Sequence, residues 1–166
     1  LMFHVEHLSM RSLFRKIRQL RFNYSPLVTV RIDRDALLYN LQAFNNLGAD
    51  KNVAPVLKSN AYGHGLVEIA KILDTEDVEF LVVDTYYEAL VLRNEKIKKP
   101  LLIIGFTSIN NMMQCKLKDI AFAITSTEQL KSLVEVANKK INIHIKFDTG
   151  MHRQGVEVDQ NVPRGT

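Results

Sequence analysis

A lysine that directly follows a short apolar run is the residue of this sequence best placed for covalent chemistry. Lys58 comes after residues 54–57, which are apolar throughout, like a strand buried on both faces. In α/β folds, ligands bind where such strands end. Removing the amine from water disfavours its charged form, and a neutral amine forms a Schiff base with an aldehyde such as pyridoxal phosphate. Because most lysines after a strand are simply solvated, Lys58 alone is a weak indication.

The residues after this lysine form a dense polar motif. Residues 58–65 read Lys-Ser-Asn-Ala-Tyr-Gly-His-Gly. Gly63 and Gly65 permit the backbone to approach a ligand closely, and Tyr62 could donate a hydrogen bond to a phosphate. On residue types alone, a polar strand–helix turn with two ordinary glycines explains the same motif.

A second polar motif follows a later apolar run. Residues 146–155 contain Lys146, Asp148 and Arg153. The guanidinium of Arg153 could bind a phenolic oxygen or a carboxylate at the same end of the sheet as Lys58. A loop in which Asp148 forms a salt bridge with Arg153 or Lys146 is the alternative interpretation, and taken alone it is the better one.

Alternating strand and helix patterns must position these motifs. Further apolar runs occupy residues 80–83, 101–104, 120–124 and 141–147, and the last of them alternates with polar residues. Helical patterns separate the runs, without hairpin signals, so the sequence predicts a parallel α/β sheet. The pattern leaves open a doubly wound sheet or part of a (β/α)8 barrel. No Gly-x-Gly-x-x-Gly follows the first strand, which disfavours dinucleotide binding.

Local signals predict where several elements begin. Residues 27–32 alternate like a strand, and Asp33 or Asp35 can cap the helix that follows, which Gly48 would end. Residues 85–88 and 125–128 both fit the capping box. Three apolar stripes are expected to face the core, namely Leu37, Leu38, Leu41 and Phe44; Leu66, Ile69, Ala70 and Leu73; and Leu130, Leu133, Val134 and Ala137.

Composition places the chain among ordinary globular proteins. It has 166 residues, 46% hydrophobic and 24% charged, which excludes a disordered chain and a collagen-like repeat. No apolar run approaches the ~20 residues that span a membrane. A single cysteine, Cys115, cannot form an internal disulfide, which suits a reducing compartment such as the cytoplasm. His64 and His152 lie within the motifs, but no ligand spacing indicates a metal site.

Charge divides the chain into a basic leader and a neutral body. The formal net charge of +4 comes entirely from residues 1–26, so a nucleic-acid footprint on the body is not supported. We interpret residues 1–26 as a basic amphipathic leader helix or extension, residues 27–157 as the folded domain, and residues 158–166 as a polar tail.

The two polar motifs resemble those of the alanine racemase family. Residues 58–65 closely resemble its pyridoxal-phosphate lysine motif, and residues 148–153 resemble its later Asp-Thr-Gly-Met-x-Arg motif. Residues 31–37 and Asn40 look like the usual start of the family, and order and spacing agree over residues 28–156. The resemblance implies a partial (β/α)8 TIM-type barrel of parallel strands that binds pyridoxal phosphate.

The resemblance also implies roles for individual residues. Lys58 would hold the cofactor as a Schiff base and act as one of two catalytic bases. Tyr62 would bind the cofactor phosphate, and Arg153 would bind its phenolic oxygen and the substrate. Met151 would lie near the substrate carboxylate. Lys146 matches a lysine that is carbamylated in many relatives and orients the arginine.

For the whole protein, the resemblance implies a cytoplasmic homodimer that interconverts L- and D-alanine for bacterial cell-wall synthesis, with a tyrosine of the partner as second base. A complete barrel needs roughly 200–250 residues. We therefore expect a fragment without the family's C-terminal β domain and with little activity alone. A serine or broad-specificity racemase and a non-catalytic pyridoxal-phosphate-binding domain are alternatives. A module that uses the basic leader on an anionic membrane or nucleic acid is a third class.

Overall fold

The computed structural model of the protein describes residues 27–48 and 53–157. The leader predicted over residues 1–26 and the tail predicted over residues 158–166 lie outside these ranges. The chain forms two compact units, which divide between Leu47 and Gly48.

The first unit contains helix α1, Arg34–Asn45. Its start is the predicted one, because the Asp33 carboxylate accepts a hydrogen bond from the Ala36 amide at 3.0 Å. Its end differs from the prediction, since Asn46 rather than Gly48 is the C-cap residue. Of the stripe expected on this helix, Leu41 is buried, whereas the Phe44 side chain is exposed.

The strand predicted over residues 27–32 does not form. This segment is irregular, and the Leu27 side chain is 97% exposed. An alternating sequence becomes a strand only where a neighbouring strand supplies hydrogen-bond partners. Within the described residues no strand pairs with this segment. The prediction was therefore wrong for this part of the chain.

The second unit is built on a parallel sheet. Its strands are β1 (Leu81–Val83), β2 (Leu101–Ile103), β3 (Ile120–Ile124) and β4 (Asn142–Ile145), and they lie side by side in chain order. A parallel bridge between Val56 and Val82 places the predicted run of residues 54–57 beside β1, at the edge of the sheet opposite to β4. A doubly wound sheet reverses its order at a switch point, whereas a barrel adds each strand beside the previous one. The sheet is thus a section of a (β/α)8 barrel wall.

Helical segments connect the strands and cover the sheet. They are α2 (Lys58–Tyr62), α3 (Leu66–Leu73), α4 (Tyr86–Asn94), α5 (Ile109–Gln114) and α6 (Thr127–Val136). The stripe predicted on α3 is confirmed, since all four of its residues are buried. On α6, Leu133 is buried, but Val134 is 70% exposed and Ala137 lies beyond the helix, so that stripe is narrower than predicted.

The two predicted capping boxes had different outcomes. At α4 the box is complete, because Thr85 accepts a hydrogen bond from the Glu88 amide and Glu88 accepts one from the Thr85 amide, both at 3.1 Å. At α6 the predicted box does not form: Ser126 rather than Thr125 is the N-cap and accepts from the Gln129 amide at 3.1 Å, while the Gln129 side chain accepts from the Thr125 amide and not from the amide of the N-cap. Ser126 has the extended backbone of a cap, so the helix begins one residue later than the motif predicted.

The alternating run over residues 141–147 forms two short strands. After β4, Phe147–Asp148 forms β5 and pairs in parallel with β6, Val156–Glu157. The apolar side chains of Ile145 and Phe147 are exposed, because in the described residues β4 is an edge of the sheet. Among residues 27–48 and 53–157, no helix combines the length and apolar character that crossing a bilayer requires.

Candidate functional site

Sheet register brings residues of separate chain segments, three of them polar, to one level. Val82 lies beside Val56 and Leu102, and the same parallel register continues through β3 to β4. Two residues beyond Val56, the chain reaches the carboxyl end of the sheet. The residues at that level, one from each neighbouring segment, are Lys58, Asp84, Ile104, Ala123 and His144. Side chains two positions apart on a strand point to the same face of the sheet. Register alone therefore brings together, on one face, residues that are far apart in the sequence.

A cleft of about 630 Å³ opens at this end of the sheet. Three of the predicted site residues, Lys58, Lys146 and Arg153, line it together. Lys58 and Lys146 are half-buried, whereas Arg153 is exposed on its loop. The remaining lining residues are Asp84, Leu102, Ile104, Ala123, His144, Ile145 and Gln154.

Tyr62 and Met151 are outside this set. Tyr62 ends α2 and is 63% exposed, and Met151 lies in the loop after β5 and is 73% exposed. Neither is among the residues that line the cleft. Their roles in phosphate and substrate binding stay predictions.

Three polar residues of the cleft were not predicted as site residues, namely Asp84, His144 and Gln154, although Gln154 lies within the second motif. Asp84 follows β1 directly, just as Lys58 follows the bridged residues before it, so the rule that ligands bind at strand ends could have found it. His144 lies on the polar side of β4, two residues before Lys146. Its ring meets the Phe80 ring edge-on, with 5.6 Å between centroids.

The chain makes a left-handed turn immediately after Lys58. Ser59, Asn60, Ala61 and Tyr62 all have φ between 50° and 58°. This conformation costs L-residues roughly 1–2 kcal/mol each. Such a run persists only where surrounding contacts hold it.

Several hydrogen bonds hold the left-handed turn. The Asn60 carbonyl oxygen accepts from the Gly65 amide at 2.9 Å, and its side-chain oxygen accepts from the Leu66 amide at 2.8 Å. His64 Nδ1 lies 2.8 Å from the Ala61 carbonyl oxygen. Ala61 itself is buried. In addition, the Ser59 amide donates to Glu88 Oε1 on helix α4 at 2.9 Å.

The loop that returns Arg153 to the cleft is organised by Asp148. Its Oδ1 atom accepts hydrogen bonds from the Gly150 amide at 2.9 Å and the His152 amide at 3.0 Å. These bonds, that from Gly150 first, lower the pKa of the Asp148 carboxyl below its ordinary value. Gly155 closes the loop with φ of 141°, and a Cβ there would collide with the Asp148 amide nitrogen.

The charges at the cleft favour an anion over a metal cation. Three cationic side chains line it against the single carboxylate of Asp84. Within the described ranges, no three His, Cys, Asp or Glu side chains are grouped closely enough to hold a metal ion.

Comparisons with known proteins identify the family of the chain. The family model of the alanine racemase N-terminal domain matches residues 32–164. An alanine racemase of Fusobacterium nucleatum is 39% identical over 130 residues, which are 78% of this chain and 36% of that protein. The chain therefore spans about a third of that relative's length.

Solved structures give the same result for the fold. The crystal structure of alanine racemase from Oenococcus oeni matches with a TM-score of 0.70 and 29% identity, over 77% of this chain and 37% of that one. A histidine racemase from Leuconostoc mesenteroides matches with a TM-score of 0.65 and 25% identity, over 75% and 34%. Because the family model covers most of the sequence, the chain belongs to the alanine racemase N-terminal domain family.

Proposed function

We propose that this chain forms the cofactor-binding part of a pyridoxal-phosphate-dependent amino-acid racemase, with alanine as its substrate. The observation that carries the proposal is the meeting of Lys58, Lys146 and Arg153 in one cleft, although Lys58 lies far from the other two in the sequence. Family membership supports the reaction class.

The residues of the cleft fit this cofactor. Pyridoxal phosphate carries an aldehyde, a phenolic oxygen and a phosphate. The Lys58 amine provides the nucleophile for the aldehyde, and the cationic lining suits the anionic groups. A volume of about 630 Å³ lies within the usual range for small-ligand sites.

Each residue has a task that follows from its chemistry. When bound, pyridoxal phosphate stabilises the electron pair left on the amino-acid α-carbon after its proton is removed. The Lys58 amine would hold or release that proton on one face of the α-carbon. The Arg153 guanidinium would donate to the phenolic oxygen, with Lys146 beside it to orient it. Tyr62 would bind the phosphate, and Met151 would lie near the substrate carboxylate.

Racemisation needs a second proton donor on the opposite face. We propose a homodimer in which the partner subunit supplies a tyrosine for this step, and little racemase activity for this chain alone. Residues 27–157 would form the barrel domain, between the leader of residues 1–26 and the tail of residues 158–166. By the same resemblance, the protein would be cytoplasmic, and its D-alanine would serve cell-wall synthesis.

A different amino acid is the second candidate substrate. The structural match to a histidine racemase indicates that a related fold serves another side chain, so serine or a broad range of amino acids is the alternative. A non-catalytic pyridoxal-phosphate-binding domain is the alternative of another class. Chiral analysis of alanine, serine and histidine incubated with the complete protein separates these candidates.

Trapping with borohydride tests the cofactor assignment without an activity assay. The chain is incubated with pyridoxal phosphate, reduced, digested and mapped by mass spectrometry. Condensation of the Lys58 amine with the aldehyde releases water, and hydride reduces the new C=N bond to a stable secondary amine. We expect the label on Lys58, unchanged in Lys131→Ala, an exposed control on α6. The assignment would be refuted if Lys58 were unlabelled in the parent chain and other lysines carried the label both there and in Lys58→Ala.

A further inference from the structure

The carboxylate of Glu88 joins the two segments that bring Lys58 and Asp84 to the cleft. Its Oε1 atom accepts from the Ser59 amide at 2.9 Å. Its Oε2 atom accepts from the Asp84 amide at 2.8 Å and the Thr85 amide at 3.1 Å. One half-buried side chain thus binds the backbone next to the nucleophilic lysine and the backbone of a second cleft residue.

We propose that Glu88 is a positioning residue, which holds the left-handed turn so that Lys58 is presented to the cofactor. The proposal rests on the function proposed above for Lys58. Glu88 does not line the cleft, so its effect is exerted through the backbone of Ser59.

The left-handed turn explains why such an anchor is needed. Ser59 is the first of the four residues with positive φ, and its amide is the point at which the backbone changes hand. Without an acceptor for that amide, the turn loses a contact that keeps it from relaxing to a more favourable conformation. Relaxation at Ser59 would redirect the residue immediately before it, which is Lys58.

A second helix of this protein separates anchoring from ordinary capping. At the start of α6, Gln129 occupies the place that Glu88 has in α4, and its Oε1 atom accepts from the Thr125 amide at 3.1 Å. Its Nε2 atom donates to the Thr107 carbonyl oxygen at 3.2 Å. A neutral amide therefore suffices to cap a helix in this fold. A carboxylate is required at α4 because both of its oxygens accept from amides, and an amide NH₂ cannot accept.

This difference defines the experiment. Glu88→Gln keeps the size of the side chain but replaces one carboxylate oxygen by an NH₂ group. Either the Ser59 amide or the amides of Asp84 and Thr85 then lose their acceptor. Thr85→Ala removes the other half of the same capping box, the bond from the Glu88 amide to the Thr85 hydroxyl, and leaves the carboxylate in place. Both variants of the full chain are compared for thermal unfolding and for pyridoxal phosphate affinity, read from the visible absorbance of the bound cofactor and from borohydride labelling of Lys58.

We expect Glu88→Gln to weaken cofactor attachment at Lys58 by roughly tenfold or more, as for the loss of a hydrogen bond to a charged group. Thr85→Ala should stay within about twofold of the parent chain at a similar loss of Tm. Equal losses of attachment in the two variants would overturn the proposal, since Glu88 would then be only a helix cap. Failure of the proposed function is distinct, because the parent chain itself would then not be labelled on Lys58.

Amide hydrogen exchange of the parent chain provides a measurement that does not depend on the folding of a variant. Ser59 is an exposed residue, and its amide donates to Glu88. We expect this amide to exchange slowly, in common with the amides of Asp84 and Thr85. Rapid exchange at Ser59 beside slow exchange at Thr85 would contradict the anchoring role.

Discussion

Replacing Ser59 by glycine tests the left-handed turn most directly. Ser59 has φ of 54° and ψ of 49°, and its side chain is exposed. The left-handed conformation costs an L-residue roughly 1–2 kcal/mol, whereas glycine adopts it freely. Glycine also loses more backbone entropy on folding, which costs about 0.5–1 kcal/mol. We therefore expect Ser59→Gly to raise the free energy of unfolding by about 0.5–1 kcal/mol.

The same substitution in a right-handed helix should have the opposite sign. Ser132 lies in α6 and is exposed, like Ser59. Ser132→Gly brings the entropic cost without any relief of strain, so it should lower the free energy of unfolding by about 0.5–1 kcal/mol. Urea unfolding followed by circular dichroism measures the free energy of unfolding of both variants. In thermal unfolding, each kcal/mol should shift the Tm of a chain of this size by roughly 2–4 °C.

The comparison refutes the reasoning if Ser59→Gly destabilises the chain as much as Ser132→Gly does. That result would mean that the backbone at Ser59 is right-handed or extended in solution. The anchoring role of Glu88 would then lose its physical basis as well, because no strained turn would need to be held.

Three further outcomes follow from particular contacts. Gly155→Ala should destabilise the chain by more than about 1 kcal/mol, since φ is positive and a Cβ would meet backbone atoms, whereas Gly150→Ala, with open space around it, should cost less in the same urea titration. Hydrogen bonds, that from the Gly150 amide first, lower the pKa of Asp148, so the stability that its carboxylate contributes is present above the ordinary carboxyl pKa of 3.8 and is lost as pH falls through the lowered pKa. The amide NMR shifts of the loop should therefore change in that acidic range and stay constant at higher pH. A change centred above pH 3.8 would contradict this. Leu133→Ala should cost roughly 2–5 kcal/mol because Leu133 is 4% exposed, whereas Val134→Ala, at a 70% exposed position, should change stability by less than about 0.5 kcal/mol in thermal unfolding.

The strand ends of the fold could be predicted because they depend on local pattern. Continuous apolar runs identified β1, β2 and β3 to within a residue or so, and the residue after the first run, Lys58, does line the cleft. A parallel strand that is buried on both faces is apolar along its whole length, so its own sequence indicates its burial.

Features that depend on distant partners could not be predicted. Residues 27–32 alternate correctly for a strand, but pairing is a property of a second segment that the pattern does not contain. Ser59, Ala61 and Tyr62 have no preference for positive φ, so nothing in their types indicates the left-handed turn. The capping box correctly identified Glu88 at the start of a helix but not its bond to Ser59, which is 29 residues away.

The uniform direction of the sheet has a consequence for engineering. Because the strands β1 to β4 run the same way, the residues that line the cleft collect on one rim, and the opposite rim consists of the turns that lead into these strands. Libraries aimed at ligand binding can therefore be restricted to the loops that leave the strands, while stabilising changes are sought in those that enter them. The two searches could then be run independently and their products combined in one gene.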